Sequence, residues 1–239
     1  MRLINRFSIL AIVLVSLICS QQVGAKTFAV CVGMSDYPGT VNDLRVSAND
    51  AKTMSNLFAS NGNCRVSIVT NHKATMKRVC QLMESTFKAA GSNDVIVLFF
   101  SGHGYPGGLC CYDGQLSYDK VFNVMKKSKA KSKVILADAC YSGKMRDDSN
   151  SPLKGQNVLL FLSSRSNEKS LEMSNMNNSL FTHYLVQALK GKADYNRDRT
   201  ITAKEVFKYV HENVISTSRD NQHPVMWGRF DDNMPIIKW

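Results

Sequence analysis

The chain has 239 residues, a formal net charge of +11 and 44% hydrophobic residues. These values fit one globular domain with a full core, and the sequence shows no internal repeat, linker or low-complexity stretch. The positive charge suggests nucleic acid, but the lysines are scattered apart from one group before a predicted strand, so we expect no nucleic-acid partner. That group comprises Lys126, Lys127, Lys129, Lys131 and Lys133.

The first 25 residues have the pattern of a secretory signal peptide. Two arginines precede the apolar run 7–18, and Val23-Gly24-Ala25 offers a small-residue cleavage site. A membrane anchor would need about 20 apolar residues, and Cys19 follows a bulky residue where a lipidation site would have a small one. We therefore expect cleavage after Ala25, a mature domain over 26–239, and a secreted or periplasmic protein without a membrane span.

The apolar pattern then predicts strands that alternate with helices. Strands are expected over 27–33, 65–70, 94–100, 133–138 and 158–162, and helices over 44–58, 76–87, 116–127, 180–189 and 203–214. A polar loop is expected over 144–157, and the tail, with Pro224 and Pro235, should form an edge strand and turns. This alternation predicts a parallel sheet that is covered by helices on both faces.

Two of the predicted strands end in small-residue loops that each carry one reactive side chain. The first reads Asp94-Val-Ile-Val-Leu-Phe-Phe-Ser-Gly-His-Gly104, and the second reads Lys133-Val-Ile-Leu-Ala-Asp-Ala-Cys-Tyr-Ser-Gly143. Because ligands bind at the carboxyl ends of parallel strands, we expect His103 and Cys140 to lie side by side. Either residue alone would more simply be a turn histidine or a buried thiol. Together they form the minimum apparatus of a cysteine nucleophile with its acid/base partner.

Backbone N–H groups of Gly104 and Cys140 are the candidates for holding the oxyanion of such a reaction. Six cysteines follow the predicted cleavage site: Cys31, Cys64, Cys80, Cys110, Cys111 and Cys140. If Cys140 stays a thiol, five are left, so at least one other is unpaired. No Cys/His spacing typical of a metal site is present in the sequence.

The two strand-end motifs resemble the catalytic motifs of the caspase-like cysteine peptidases, and they are most similar to those of metacaspases and their bacterial relatives. Weaker similarities lie at Asn49-Asp50-Ala51, Ser163-Ser164-Arg165 and Ser179-Leu-Phe-Thr182. The resemblance covers nearly the whole mature chain. It implies a caspase-hemoglobinase-like α/β fold, a three-layer sandwich with a mostly parallel six-stranded sheet.

The resemblance also implies endopeptidase action on proteins or peptides after arginine or lysine, which metacaspases recognise with carboxylates. Asp138 matches the metacaspase pocket position, Asp50 a second acidic position and Ser101 a third, polar one. Carboxylates at the floor of a narrow pocket bind a guanidinium in a bidentate manner. The simpler alternatives are an exposed helix carboxylate for Asp50 and a structural hydrogen bond for Asp138, and we favour the pocket.

Many metacaspases need calcium, which they bind through aspartates near the active site. Asp147 stands at one such position, but only Asp113 and Asp119 are available for the others. The resemblance is therefore incomplete here. We expect no required cofactor and no metal-ligand set, with calcium as the open alternative.

A second candidate calcium site is the loop 194–205, which has carboxylates at the spacing of an EF-hand loop. However, Arg199 stands where the sharp turn of such a loop requires glycine. Thr202 and Glu205 also have the spacing of a capping box. We favour a capped helix after a polar loop.

Two other functions remain open beside the peptidase: a catalytically silent caspase-like binding scaffold, and a thiol transpeptidase that passes the acyl group to an amine. The intact His103 and Cys140 argue against the scaffold. Basic residues in 144–154 make self-cleavage a further hypothesis. The oligomeric state is also open, because caspases dimerise through an edge strand whereas metacaspases are monomers.

Overall fold

The computed structural model describes residues 25–140, 142 and 157–238. Within them, strands β1 to β11 are Thr27–Gly33, Cys64–Thr70, Val95–Ser101, Gly104–Tyr105, Gly108–Cys111, Gly114–Ser117, Ser132–Asp138, Asn157–Leu162, Thr200–Thr202, Val225–Arg229 and Pro235–Lys238. Helices α1 to α5 are Ser47–Ser60, Met76–Lys88, Tyr118–Lys126, Leu180–Gln187 and Ala203–Ser218. The predicted signal peptide and most of the polar loop 144–157 lie outside the described residues.

The centre of the fold is a six-stranded sheet with the order β10-β8-β7-β3-β1-β2. Neighbouring strands from β8 to β2 run parallel, and β10 pairs with β8 in the antiparallel direction at one edge. β1, β3 and β7 are buried along almost their whole length, which is the pattern of strands covered on both faces. The predicted mostly parallel sheet with an edge strand from the tail is confirmed.

Two apolar cores lie on the two faces of this sheet. Alternate residues of β1 point to opposite faces, so Val30 and Val32 pack in one core and Ala29 and Cys31 in the other. Helices α2 and α3 cover the first face, and α1, α4 and α5 cover the second. This is the three-layer α/β arrangement that the strand and helix pattern predicts.

The segment between β3 and α3 differs from the prediction. The sequence pattern predicts a small-residue loop and a helix over 116–127, but β4, β5 and β6 form a small antiparallel sheet, and α3 begins only at Tyr118. Leu116 pairs with Leu109 across this sheet, and the side chain of Ser117 caps α3 by accepting the N–H of Lys120. A single buried leucine fits either a strand or a helix period, so the sequence pattern did not separate the two.

The last helices follow the predicted pattern with shifted ends. α4 stops at Gln187 and continues as a wider turn over Ala188–Lys192, which contains Gly191 at φ 108°. Thr202 and Glu205 form the predicted capping box at the start of α5. In the part of the chain that the structure describes, no helix is both long and apolar enough to cross a bilayer.

Candidate active site

The carboxyl ends of β3 and β7 lie side by side in the middle of the sheet. Ser101 is paired with Asp138 in the parallel register, and the N–H of Gly102 donates to the carbonyl of Asp138 over 3.1 Å. His103 and Cys140 follow two residues beyond this pair. Both are half-buried and line one small cavity of about 60 Å³, so the structure brings the two predicted catalytic residues together.

The imidazole of His103 is oriented by a backbone carbonyl. Its Nε2 lies 2.8 Å from the carbonyl oxygen of Asn42. Because a carbonyl can only accept, Nε2 must carry a proton, and the neutral ring then has its lone pair on Nδ1. The sequence pattern could not reveal Asn42, since a carbonyl oxygen is present at every residue.

Tyr37 supports the same histidine from a second side. Its hydroxyl accepts the backbone N–H of His103 over 2.8 Å, and the two rings lie with their centroids 4.9 Å apart. Tyr37 is buried, and burial raises the pKa of its hydroxyl, so it stays a neutral hydrogen-bonding group. Sequence reasoning placed Tyr37 only in a loop and missed this contact.

The backbone before Cys140 is held by two buried serines. The hydroxyl of Ser163 accepts the N–H of Ala139 over 3.1 Å and donates to its carbonyl over 3.2 Å. The hydroxyl of Ser164 donates to the same carbonyl over 3.3 Å. Ser163 and Ser164 belong to the Ser163-Ser164-Arg165 segment that resembles the caspase-like peptidases. Two hydroxyl residues follow β8 because both bond to the backbone of Ala139.

Gly104 packs against the backbone of the proposed nucleophile. A Cβ atom at Gly104 would lie 2.3 Å from the carbonyl oxygen of Cys140 and 3.2 Å from the Cβ of Ala139. No side chain fits there without displacing the Cys140 loop. The two residues predicted to hold an oxyanion are therefore direct neighbours.

Asp50 and Asp138 form a buried pair of carboxyl groups beside the cavity. The exposed fractions of the two residues are 0% and 3%. Ser179 joins them, because its hydroxyl contacts Oδ2 of Asp50 at 2.7 Å and also Oδ2 of Asp138. The hydroxyl of Ser101 donates to Asp50 over 2.8 Å. Hence all three residues of the predicted pocket are connected, and Asp50 is not an exposed helix carboxylate.

The surroundings of this pair raise the pKa of both carboxyl groups. Burial, followed by the charge of Asp138, raises the pKa of Asp50 to about 7. Burial also raises the pKa of Asp138, although hydrogen bonds from Ser170, Ser179 and Thr182 oppose this. The N–H of Thr182 donates to Asp138 over 3.1 Å, so Asp138 also makes the structural hydrogen bond that we set against the pocket.

The other wall of the cavity comes from the segment after β8, which includes Ser170 and Glu172. Each carboxylate oxygen of Glu172 accepts one backbone N–H at the start of α1, from Arg45 and Val46, both over 3.1 Å. Sequence reasoning missed Glu172, because it lies in a polar segment without periodicity and 126 residues from Val46.

The tail of the chain fixes this wall. The side-chain amide of Gln222 accepts the N–H of Leu171 over 2.9 Å and donates to the carbonyl of Ser163 over 2.8 Å. The next residue, His223, contacts Glu168 and Asp220 through its two ring nitrogens, over 2.9 and 3.0 Å. Thus residues of the tail determine the shape of the pocket without lining it.

The candidate calcium ligands serve other hydrogen bonds. Asp113 accepts the N–H of Met76 at the start of α2 over 2.7 Å, and Glu205 accepts the N–H and the hydroxyl of Thr202. Arg199 takes the left-handed conformation, at φ 64°, that the loop requires. Asp147 lies outside the described residues, and among those described no three His, Cys, Asp or Glu side chains are grouped to hold a metal ion.

The fold is that of a caspase-like domain. A model of the caspase-domain family of peptidases matches residues 26–234, and the chain belongs to this family. No curated protein matches the chain significantly.

Two solved structures show the same fold. Caspase-1 from Spodoptera frugiperda is similar with a TM-score of 0.68 and 15% identity, over 88% of this chain and 91% of that one. Protein GSU0716 from Geobacter sulfurreducens is similar with a TM-score of 0.62 and 17% identity, over 84% of this chain and 92% of that one. At these identities the likeness concerns the fold alone, and the activity must be argued from the site.

Proposed function

We propose that this chain is a cysteine endopeptidase that cuts proteins or peptides after arginine or lysine. The observation that carries the proposal is that Cys140, His103 and Asp138 line one cavity. A nucleophile, an acid/base group and a site for a cationic side chain are the three parts that such a reaction needs. Membership of the caspase-domain family supports a peptidase of the cysteine type.

In this mechanism, Nδ1 of His103 takes the proton of the Cys140 thiol, and the sulfur attacks the carbonyl carbon of the peptide bond. The tetrahedral intermediate collapses when His103 returns the proton to the leaving amine, which leaves an acyl-enzyme on Cys140. Water then attacks this thioester while His103 takes its proton, and the acid product leaves as the thiol is restored. The Asn42 carbonyl keeps the proton on Nε2 throughout, so Nδ1 is the reacting nitrogen.

We assign the oxyanion to the backbone N–H groups of Gly104 and Cys140. The close contact between these two residues supports this assignment. Donors that are already held in place cost no reorganisation when charge develops on the carbonyl oxygen.

The substrate side chain before the cut bond is assigned to the cavity wall formed by Asp138, with Asp50 behind it and Ser101 and Glu172 beside it. A buried carboxylate favours a cation and disfavours an aspartate side chain, because two like charges at low dielectric repel each other. Arginine gains additionally from bidentate hydrogen bonds. This supports cleavage after arginine and lysine in preference to aspartate.

We further propose that the reaction needs no metal ion and that the protein is exported by cleavage after Ala25. The described mechanism uses only side-chain and backbone groups of this chain. Identification of Lys26 as the first residue of the protein recovered outside the cytoplasm would support export, and recovery of an intact amino terminus would contradict it.

The experiment that tests the peptidase proposal compares matched fluorogenic peptides that end in arginine, lysine, aspartate or the neutral analogue citrulline, with calcium and with a chelator. We expect cleavage after arginine and lysine, no cleavage after aspartate, and the same rates with calcium and with the chelator. Faster cleavage after aspartate would contradict the pocket, and loss of activity in the chelator would contradict the metal-free mechanism. If an added amine outcompetes water as the acceptor of the acyl group, the transpeptidase is favoured. If none of the peptides is cleaved, the binding scaffold is favoured.

The hydroxyl of Tyr37 gives a further prediction. Tyr37→Phe keeps the ring but leaves the N–H of His103 without its acceptor, and we expect kcat to fall about tenfold because one buried hydrogen bond is worth roughly 1–1.5 kcal/mol. KM should change little, since Tyr37 is not among the residues that line the cavity. The pH profile of kcat should shift, whereas Tyr112→Phe, a half-buried tyrosine on the turn between β5 and β6, should leave it unchanged. An unaltered pH profile in Tyr37→Phe would show that the contact is only structural.

A further inference from the structure

The buried carboxyl groups of Asp50 and Asp138 both contact the hydroxyl of Ser179, and this hydroxyl cannot donate to both. Ser179 Oγ contacts Oδ2 of Asp50 at 2.7 Å and also Oδ2 of Asp138. A serine hydroxyl has a single proton, so it can donate to one of these oxygens only. If both carboxyl groups were ionised, the hydroxyl would donate its proton to one of them and turn a lone pair towards the other. This lone pair and the second carboxylate would repel each other. The contact is favourable only if one of the two carboxyl groups carries a proton and donates it to Ser179.

No cation of the described chain compensates two charges at this place. The titratable side chains that line the cavity with Asp138 are His103, Cys140 and Glu172. Around it, the backbone N–H of Arg45 bonds to Glu172, Glu168 lies on the same segment as Glu172, and His183 follows Thr182, which donates to Asp138. Arg45 donates to the carbonyls of Met173 and Met176, and Glu172 accepts from the start of α1. Glu168 pairs with His223, and Nε2 of His183 bonds to Gln187. None of the ion pairs among the described residues involves Asp50 or Asp138.

We propose that Asp50 and Asp138 share one proton when no substrate is bound, and that a cationic substrate side chain displaces this proton to the solvent. The inference deepens the proposed function and rests on it, because the displacing cation is the arginine or lysine before the cut bond. The pair then holds a single negative charge in the free protein and two in the complex. The buried free pair is therefore never left with two uncompensated charges, which would be costly at low dielectric.

The direction of the pKa shifts agrees with this geometry. Burial and the charge of Asp138 raise the pKa of Asp50 to about 7. Proton displacement makes binding of a cation weaker below that pH, because the proton competes with the ligand. The recognition of basic residues should therefore depend on pH in the neutral range, whereas recognition of a neutral side chain should not.

The first test compares kcat/KM for matched arginine and citrulline peptides between pH 5.5 and 8.5. The two peptides share the same dyad, so their ratio cancels the titration of His103 and Cys140 and reports the pocket alone. We expect the ratio of arginine to citrulline to rise about tenfold per pH unit below the pKa of the pair and to level off above it. A ratio that stays constant in an active enzyme would overturn the shared proton and leave the proposed function standing.

The second test needs no activity. A carboxyl group whose pKa is raised in the folded state stabilises the fold fully below its unfolded pKa, and this stability is lost as the pH rises through the folded pKa. The free energy of unfolding in urea is measured for the wild type and for Asp50→Asn. Relative to the variant, the wild type should lose stability between about pH 4 and pH 7, with a slope that corresponds to the release of one proton. Asp138→Asn replaces Asp50→Asn if the latter does not fold.

The outcomes of the two tests separate the two claims. A difference in stability that is independent of pH would overturn the shared proton whatever the enzyme does. No Cys140-dependent cleavage of the arginine peptide at any pH would overturn the proposed function and the displacement by substrate. The unfolding measurement alone would then test whether Asp50 and Asp138 share a proton.

Discussion

Cys140→Ala is expected to reduce hydrolysis of the arginine peptide by at least about 10⁴-fold, because removal of the nucleophile eliminates the acyl-enzyme route. His103→Asn should lower kcat by about 10²–10⁴-fold, since the thiol then lacks the base that ionises it. Both residues are half-buried, so we expect the folded structure to persist. Initial rates and circular dichroism of the purified variants check the two statements.

The matched control for this prediction is Cys64→Ala. Cys64 is also half-buried, but it begins β2 at the amino end of the sheet and pairs with Thr27. It lies at the end of the strands opposite to His103 and Cys140, and its replacement should leave the rate unchanged. Full activity of Cys140→Ala would show that the thiol of Cys140 is not the nucleophile, and loss of activity in both variants would point to a general effect of removing a thiol.

Asp138→Asn is expected to remove the preference for basic residues. Loss of one partner of a buried, hydrogen-bonded charge pair costs about 2–4 kcal/mol, so kcat/KM for the arginine peptide should fall roughly 30- to 1,000-fold. The citrulline peptide has no charge to lose, and its kcat/KM should change by less than about threefold. The ratio of the two peptides, measured at one pH above the titration of the pair, reports the effect.

A control for this second prediction is Ser170→Ala, which removes only the hydroxyl that bonds to the other oxygen of Asp138. It should lower the arginine rate by only about tenfold, because one hydrogen bond to a charged group is worth roughly 1.5 kcal/mol. An unchanged preference for arginine in Asp138→Asn would mean that another carboxylate, such as Glu172, binds the arginine side chain of the substrate.

The two strand ends that carry His103 and Cys140 could be predicted because each combines a continuous apolar run with a reactive residue in a glycine-containing loop. A run buried on both faces has few alternatives to a central parallel strand, and the side chain after it must then lie at the carboxyl edge. By contrast, residues 104–117 were misassigned in part. Their short strands hold one to three apolar residues each, and such short runs do not distinguish strand from helix.

The supporting groups of the site could not be predicted in the same way. Asn42 acts through its carbonyl, which every residue has, and Tyr37 acts from a loop without periodicity. Glu172 and Ser179 lie more than 120 residues along the chain from their partners Val46, just before α1, and Asp50, within α1. Such contacts depend on how the segment after β8 folds back over the sheet, and the tail residue Gln222 contributes to this.

The sequence by itself determined the alternation of strands and helices and placed His103 and Cys140 at two strand ends, since these depend on residue type and local spacing. The acidic pocket was implied by the resemblance to metacaspases. Only the tertiary structure decided that β3 and β7 are neighbours in register and that Asp50 and Asp138 meet on one serine hydroxyl. The physical reason is that hydrogen-bond partners and burial arise from long-range packing. A local pattern specifies which side chains are available, and the packing specifies which of them contact one another.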